Sequence, residues 1–187
     1  MGINWRRRLF HIIASLFFFA LSKLLNKTSF QIFLFFSGGL LFLWETLRLK
    51  FPERVPFKGL WIGLLKEREK RELSDASFFI LGIFISSLLV SEVYLGVCIL
   101  ILGISDPLAG IAGSYCPKGP FIKGKTLVGS LVFFFSSLGI TLYFLEFPLI
   151  TLLGLVLFLS LIELFTKRDN FWIPVAYSIY LRLFLTR

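Results

Sequence analysis

Histidine occurs once in the 187 residues, at His11, and cysteine twice, at Cys98 and Cys116. That inventory excludes a histidine or cysteine zinc centre within one chain, and with no CxxC pair it implies no disulfide framework. Acids are scarce as well, 11 against 20 lysines and arginines, so the net charge is +9. There is no internal repeat, no low-complexity segment and no polar stretch long enough for a separate soluble domain. What fills the chain instead is apolar: 57% of residues are hydrophobic and 24 are phenylalanine. A chain this short cannot bury so much apolar surface in a soluble core, which makes it an integral membrane protein. The positive charge then reads as loop lysines and arginines on the cytoplasmic side, and nucleic acid is not expected as a partner.

Apolar runs give about seven transmembrane helices in a single domain spanning 1–187, an all-α polytopic architecture. The first is Leu9–Leu25 behind Arg6, Arg7 and Arg8. A signal peptide is the alternative there, but the run continues through Lys23 without a clear cleavage site. The others are Phe30–Leu49, Ala76–Val90, Val93–Ile104, Leu127–Leu145, Leu149–Phe165 and Phe171–Leu185, the last with Pro174 in its first turn. Only Ser91 and Glu92 separate the third and fourth, so a tight helical hairpin is expected, with one long helix over 76–104 as the alternative. Phe57, Leu60, Trp61, Leu64 and Leu65 fall on one helical face, predicting an amphipathic helix on the cytoplasmic membrane surface.

Seven spans place sixteen of the twenty basic residues on one side of the bilayer, which the positive-inside rule assigns to the cytoplasm. The same side gathers Arg7, Arg8, His11, Asp106, Lys125, Glu163, Asp169 and Asn170. Between Ser105 and Ser130 lies the longest stretch that is neither span nor charge run. It holds Asp106, Lys125, Lys118, Lys123, Thr126 and the glycines 110, 113, 119, 124 and 129. An acid can hold a divalent cation, and glycines with a lysine can admit a phosphate. Gly119 to Thr126 fits GxxxxGK[ST] formally. No strand precedes it and Pro120 suits the loop poorly, so a P-loop does not follow.

Most of these residues have structural readings of equal standing. Asp106 alone could cap a helix, and Asp169-Asn170 could be an N-cap. His11 could be a packed polar residue, and Glu45 with Arg48 an interfacial ion pair or a substrate contact. Glu163 lies near the end of an apolar helix and needs a partner, whether metal, arginine or lysine.

Taken in order, however, Asp106, Ala109 and Gly113, then Gly124-Lys125-Thr126-Leu127 with Gly129-Ser130, resemble the signature of the CTP-dependent lipid kinases. These are the dolichol, phytol and yeast-type diacylglycerol kinases and their bacterial relatives. Arg7-Arg8 with His11 is similar to the family's N-terminal basic pair and histidine. Glu163, Asp169-Asn170 and Pro174 are similar to its late acid and DNxxxP, and Lys66 with Glu69 to a weaker pair. Cys116-Pro117 departs from the pattern, as does Asp75 before Ala76.

The resemblance implies phosphoryl transfer from CTP to a membrane lipid alcohol, with Mg²⁺ or another divalent cation, at the cytoplasmic face of a bacterial inner membrane. Asp106 and Asp169 would be metal ligands, with Asp169 or Glu163 as second acid or base. Lys125, Gly113, Gly124, Thr126 and Gly129 would hold phosphate. Arg7, Arg8, His11 and Asn170 would complete the nucleotide contacts. A cytidylyltransferase making CDP-lipid is the alternative chemistry, and a small transporter or scaffold the alternative class.

Overall fold

Capping residues at the ends of the apolar runs cut the chain into seven helices in the computed structural model, which describes residues 4–56, 61–116, 121–122 and 125–184. Helix α1 (Trp5–Leu24) begins where the Asn4 side chain accepts a hydrogen bond from the Arg7 N–H. Asn26 does the same for Ser29 at the start of α2 (Lys27–Lys50). Extended Val90 and Ser91 separate α3 (Asp75–Leu89) from α4 (Glu92–Tyr115), so the segment is a hairpin of two helices. Three more follow: α5 (Leu127–Phe144), α6 (Leu149–Phe165) and α7 (Asp169–Phe184). The architecture is all-helical, and among the described residues the only strands are a two-residue antiparallel ladder of β1 (Phe121–Ile122) with β2 (Lys125–Thr126).

Helices α2, α4 and α5 are long and apolar enough to cross a membrane, while α3 and α6 are apolar but shorter. The axis of the bundle is α4: 67% of its apolar window is buried, against 17% for α2 and 28% for α5. Leu95, Val97, Cys98, Ile99, Ile101 and Leu102 make it so. Helix α1 packs along the first half of α4 and α5 along the second, α2 lies on α3, α3 on α7, and α6 joins α5 to α7. The outside is apolar, with Phe10, Phe17, Phe35, Phe36, Phe42 and Phe135 exposed, whereas Phe133 is fully buried. Exposed apolar surface on this scale suits a lipid environment better than water.

Two expectations are corrected. The amphipathic helix does not continue through Leu65: Trp61 is helical, Ile62–Leu64 and Arg68–Lys70 are single 3-10 turns, and Phe57 and Leu60 lie outside the described residues. Beyond Trp61, the side chains of Lys66, Arg68 and Glu69 are drawn into an ion-pair cluster with Arg7 and Asp75. Asp106 is likewise not at the end of a span, because α4 continues through Tyr115.

Pro107 is accommodated within α4 by a π-helical segment, Ile101–Ser105. A proline inside a helix lacks an N–H and clashes with the carbonyl four residues back, and the wider π turn relieves both problems. In π register the carbonyl of Leu102 would pair with position 107, which has no N–H to give. His11 on α1 supplies the donor instead, with Nε2 3.1 Å from the Leu102 oxygen. Since a carbonyl only accepts, His11 carries its proton on Nε2. Gly103 lets α1 approach here, because a Cβ on it would lie 2.3 Å from Ser15 Cβ.

Candidate functional site

Three helices each deliver one carboxylate to the same place: Asp106 from α4, Glu163 from the last turn of α6, and Asp169 from the start of α7. Each offers an oxygen within 4.8 Å of the other two. Lys125 on β2 reaches into this group, its Nζ 2.8 Å from Glu163 Oε1 and 2.6 Å from Asp169 Oδ2. It also donates to the Glu163 backbone carbonyl at 2.5 Å. The other acid oxygens are held separately. Ser130 Oγ donates to Glu163 Oε2 at 2.7 Å, and the Asn170 backbone N–H donates to Asp169 Oδ1 at 2.9 Å. No described residue donates a hydrogen bond to Asp106. Burial opposes the charge on Lys125, but Asp169, Glu163 and Asp106 together more than compensate and hold its ammonium above the ordinary lysine value.

Beside the acids, Arg8 donates to the Pro107 carbonyl at 3.0 Å and lies within electrostatic reach of Asp106. Gly110 makes room for it, since a Cβ there would sit 2.2 Å from Arg8 Nη1. Gly113 and Gly129 close the seam between α4 and α5. A Cβ on Gly113 would fall 2.6 Å from Thr126 Oγ1, and one on Gly129 2.8 Å from the Ala109 carbonyl oxygen. Thr126 caps α5 by accepting from the Gly129 N–H at 3.1 Å. That close seam is what carries Lys125 to the acids. Asn170 is buried, with its side-chain oxygen unpartnered among the described residues. Gly124, Lys118 and Lys123 lie outside the described residues. Among the described residues, helix α4 and no strand comes before the GxxxxGK[ST] stretch, and Lys125-Thr126 pair with Phe121-Ile122, which is not the strand, loop and helix of a P-loop.

Arg7 turns away from this group. It meets Glu69 at 3.4 Å and Asp75 at 2.8 Å, and Asp75 also takes Lys66 at 2.7 Å and Arg68 at 2.6 Å, with Arg168 at 3.9 Å. Glu69 accepts from the N–H groups of Lys66 and Asp75. Burial first, and the neighbouring Asp75 second, push the Glu69 carboxyl up. Sequence reading had no place for Asp75, Arg68 or Arg168 in a site. The density of alternating charge between Lys66 and Asp75 was the available signal. Glu45 and Arg48 form a buried ion pair, and Arg48 also donates to the carbonyls of Glu69 and Glu72. Of their two readings, the structural one therefore describes them.

Comparison with known proteins finds no matching family model, no matching curated protein and no matching solved structure.

Proposed function

We propose that the chain is a CTP-dependent kinase of a membrane lipid alcohol, its seven helices crossing a bacterial inner membrane with the acid cluster on the cytoplasmic side. One observation carries the reading: Asp106, Glu163, Asp169 and Lys125, from four separate elements, converge on one point beside Arg8. These are the residues that resemblance to the lipid kinases assigns to one site. Three carboxylates form a hard oxygen donor set of the kind that suits Mg²⁺. When bound there, the cation would neutralise charge on the transferring phosphoryl group.

The chain's own residues then have distinct tasks. Asp106, Asp169 and Glu163 hold the cation. Arg8 faces the nucleotide phosphates from α1. Asn170, next to Asp169, offers a buried amide oxygen to the nucleotide or its ion. The lipid enters sideways from the bilayer, so its hydroxyl arrives at headgroup depth. Its oxygen forms a bond to the γ-phosphorus while the bond from that phosphorus to the β–γ bridging oxygen breaks. CDP leaves, and the hydroxyl proton passes to a carboxylate of the Glu163–Asp169 pair.

The test is turnover by the purified protein with CTP and a panel of polyprenol, phytol and diacylglycerol. Phosphorylated lipid and CDP are expected, and Asp106→Asn should reduce kcat by about 10²-fold or more. Release of pyrophosphate would assign a cytidylyltransferase instead. Consumption of no nucleotide with any lipid would overturn the enzymatic reading.

A further inference from the structure

The Lys125 ammonium occupies ground that the proposed cation would need. Its Nζ lies 2.8 and 2.6 Å from Glu163 Oε1 and Asp169 Oδ2, so it satisfies one oxygen of each acid. A divalent ion on those oxygens and an ammonium a few ångströms away repel strongly in a half-desolvated site. Both cannot keep the same partners.

Which of them yields is also a matter of geometry. The Lys125 side chain is 21% exposed, against 6% for Glu163 and 10% for Asp169, so of the three it has the most open space to move into. Its ammonium hangs on a flexible four-carbon stem. The acids have their own supports, Ser130 on Glu163 Oε2 and the Asn170 N–H on Asp169 Oδ1, which do not depend on the lysine. Removing the ammonium therefore leaves the carboxylates oriented.

We propose that Lys125 is a built-in counter-ion which a divalent cation displaces, the freed ammonium then becoming available to a phosphate. The inference rests on the reading of Asp106, Glu163 and Asp169 as cation ligands. It adds an order of events: the lysine turns to phosphate only once the cation has taken its place. It also explains how one lysine can serve an acid cluster and an anion in turn, and how buried like charges stay compensated before the ion arrives.

The experiment titrates Mn²⁺, without nucleotide, into wild type and Lys125→Gln in detergent, read by electron paramagnetic resonance of the free ion. Removing one competing unit charge should tighten Mn²⁺ binding by about tenfold or more. Equal or weaker binding by folded Lys125→Gln would overturn the exchange. If that variant folds only with metal, its melting midpoint should rise further with Mn²⁺ than that of wild type, and an equal rise would overturn the exchange. In wild type, acetylation of Lys125 by acetic anhydride should increase when Mn²⁺ is added, while that of Lys70 stays constant. Unchanged or slower labelling of Lys125 counts against the idea. Binding to neither protein would remove the cation reading itself. Competition together with an absence of CTP turnover would remove only the kinase reading.

Discussion

Gly129→Ala tests whether the glycines of the 105–130 stretch serve packing or phosphate. An alanine Cβ at 129 would meet the Ala109 carbonyl oxygen at 2.8 Å and Thr126 Oγ1 at 3.1 Å. Neither neighbour can move aside cheaply. One is backbone in the middle of α4, and the other is fixed as the cap of α5. The two helices must therefore separate, at a cost near the upper end of the overpacking range, about 3 kcal/mol. Alanine's better helix propensity returns about 1 kcal/mol, leaving a net destabilisation of about 2 kcal/mol. Gly139 on the same helix is the control, because a Cβ there meets nothing within 4 Å. Gly139→Ala should thus gain up to about 1 kcal/mol. Unfolding in mixed micelles, followed by tryptophan fluorescence, reads both changes. Opposite signs are expected. A Gly129→Ala midpoint at or above wild type would refute the seam, as would equal losses at the two positions. A phosphate role for the Gly129 N–H predicts something different, since alanine keeps that N–H and would leave stability alone.

Two further outcomes follow from named contacts. His11→Leu leaves the Leu102 carbonyl without its donor and should cost about 1–3 kcal/mol; Pro107→Ala restores a backbone N–H, so the same change in that background should cost clearly less in a double-mutant cycle. Because Lys125 is held above its ordinary value in the folded protein, the stability it contributes is complete below the unfolded value of about 10.4 and is lost as pH rises through the folded value. The gap in unfolding midpoint between wild type and Lys125→Gln should stay constant from neutral pH to about 10.4 and narrow above it, and a gap that widened there would contradict the assignment.

The helices were legible because long apolar runs leave few other options for chain in a membrane, while the Asn4 and Asn26 caps that set the first two starts were not read. The hairpin between α3 and α4 was legible in Ser91-Glu92. The gathering of Asp106, Lys125, Glu163 and Asp169 was visible only as placement on one side, from charge counts and resemblance. Their distances depend on how α5 meets α4, which is decided by the missing Cβ atoms of Gly113 and Gly129. A sequence shows that a glycine is there, but not what stands opposite it. Where the helix around Trp61 ends was illegible for a comparable reason. Periodicity over Phe57 to Leu65 takes no account of Asp75, whose ion pairs hold Lys66 and Arg68 where the chain has left the helix. The pairing of Arg7 with Glu69 and Asp75 went unread by the same omission. The fourth span read as ending at Ile104, and only the π segment explains how α4 continues past Pro107.

That π segment has a consequence for heredity. It inserts one residue into an otherwise regular helix, and in an α-helix each residue turns the following side chain by about 100°. Asp106 faces Glu163 and Asp169 because of how many residues precede it, whatever their identities. Deleting any one residue from Ile101–Ser105 would allow a regular helix to re-form and swing Asp106 to another side of α4. Substitutions in this segment leave the count intact and single-residue deletions do not, so, Gly103 apart, the segment should tolerate changes of composition among descendants of this chain far better than changes of length.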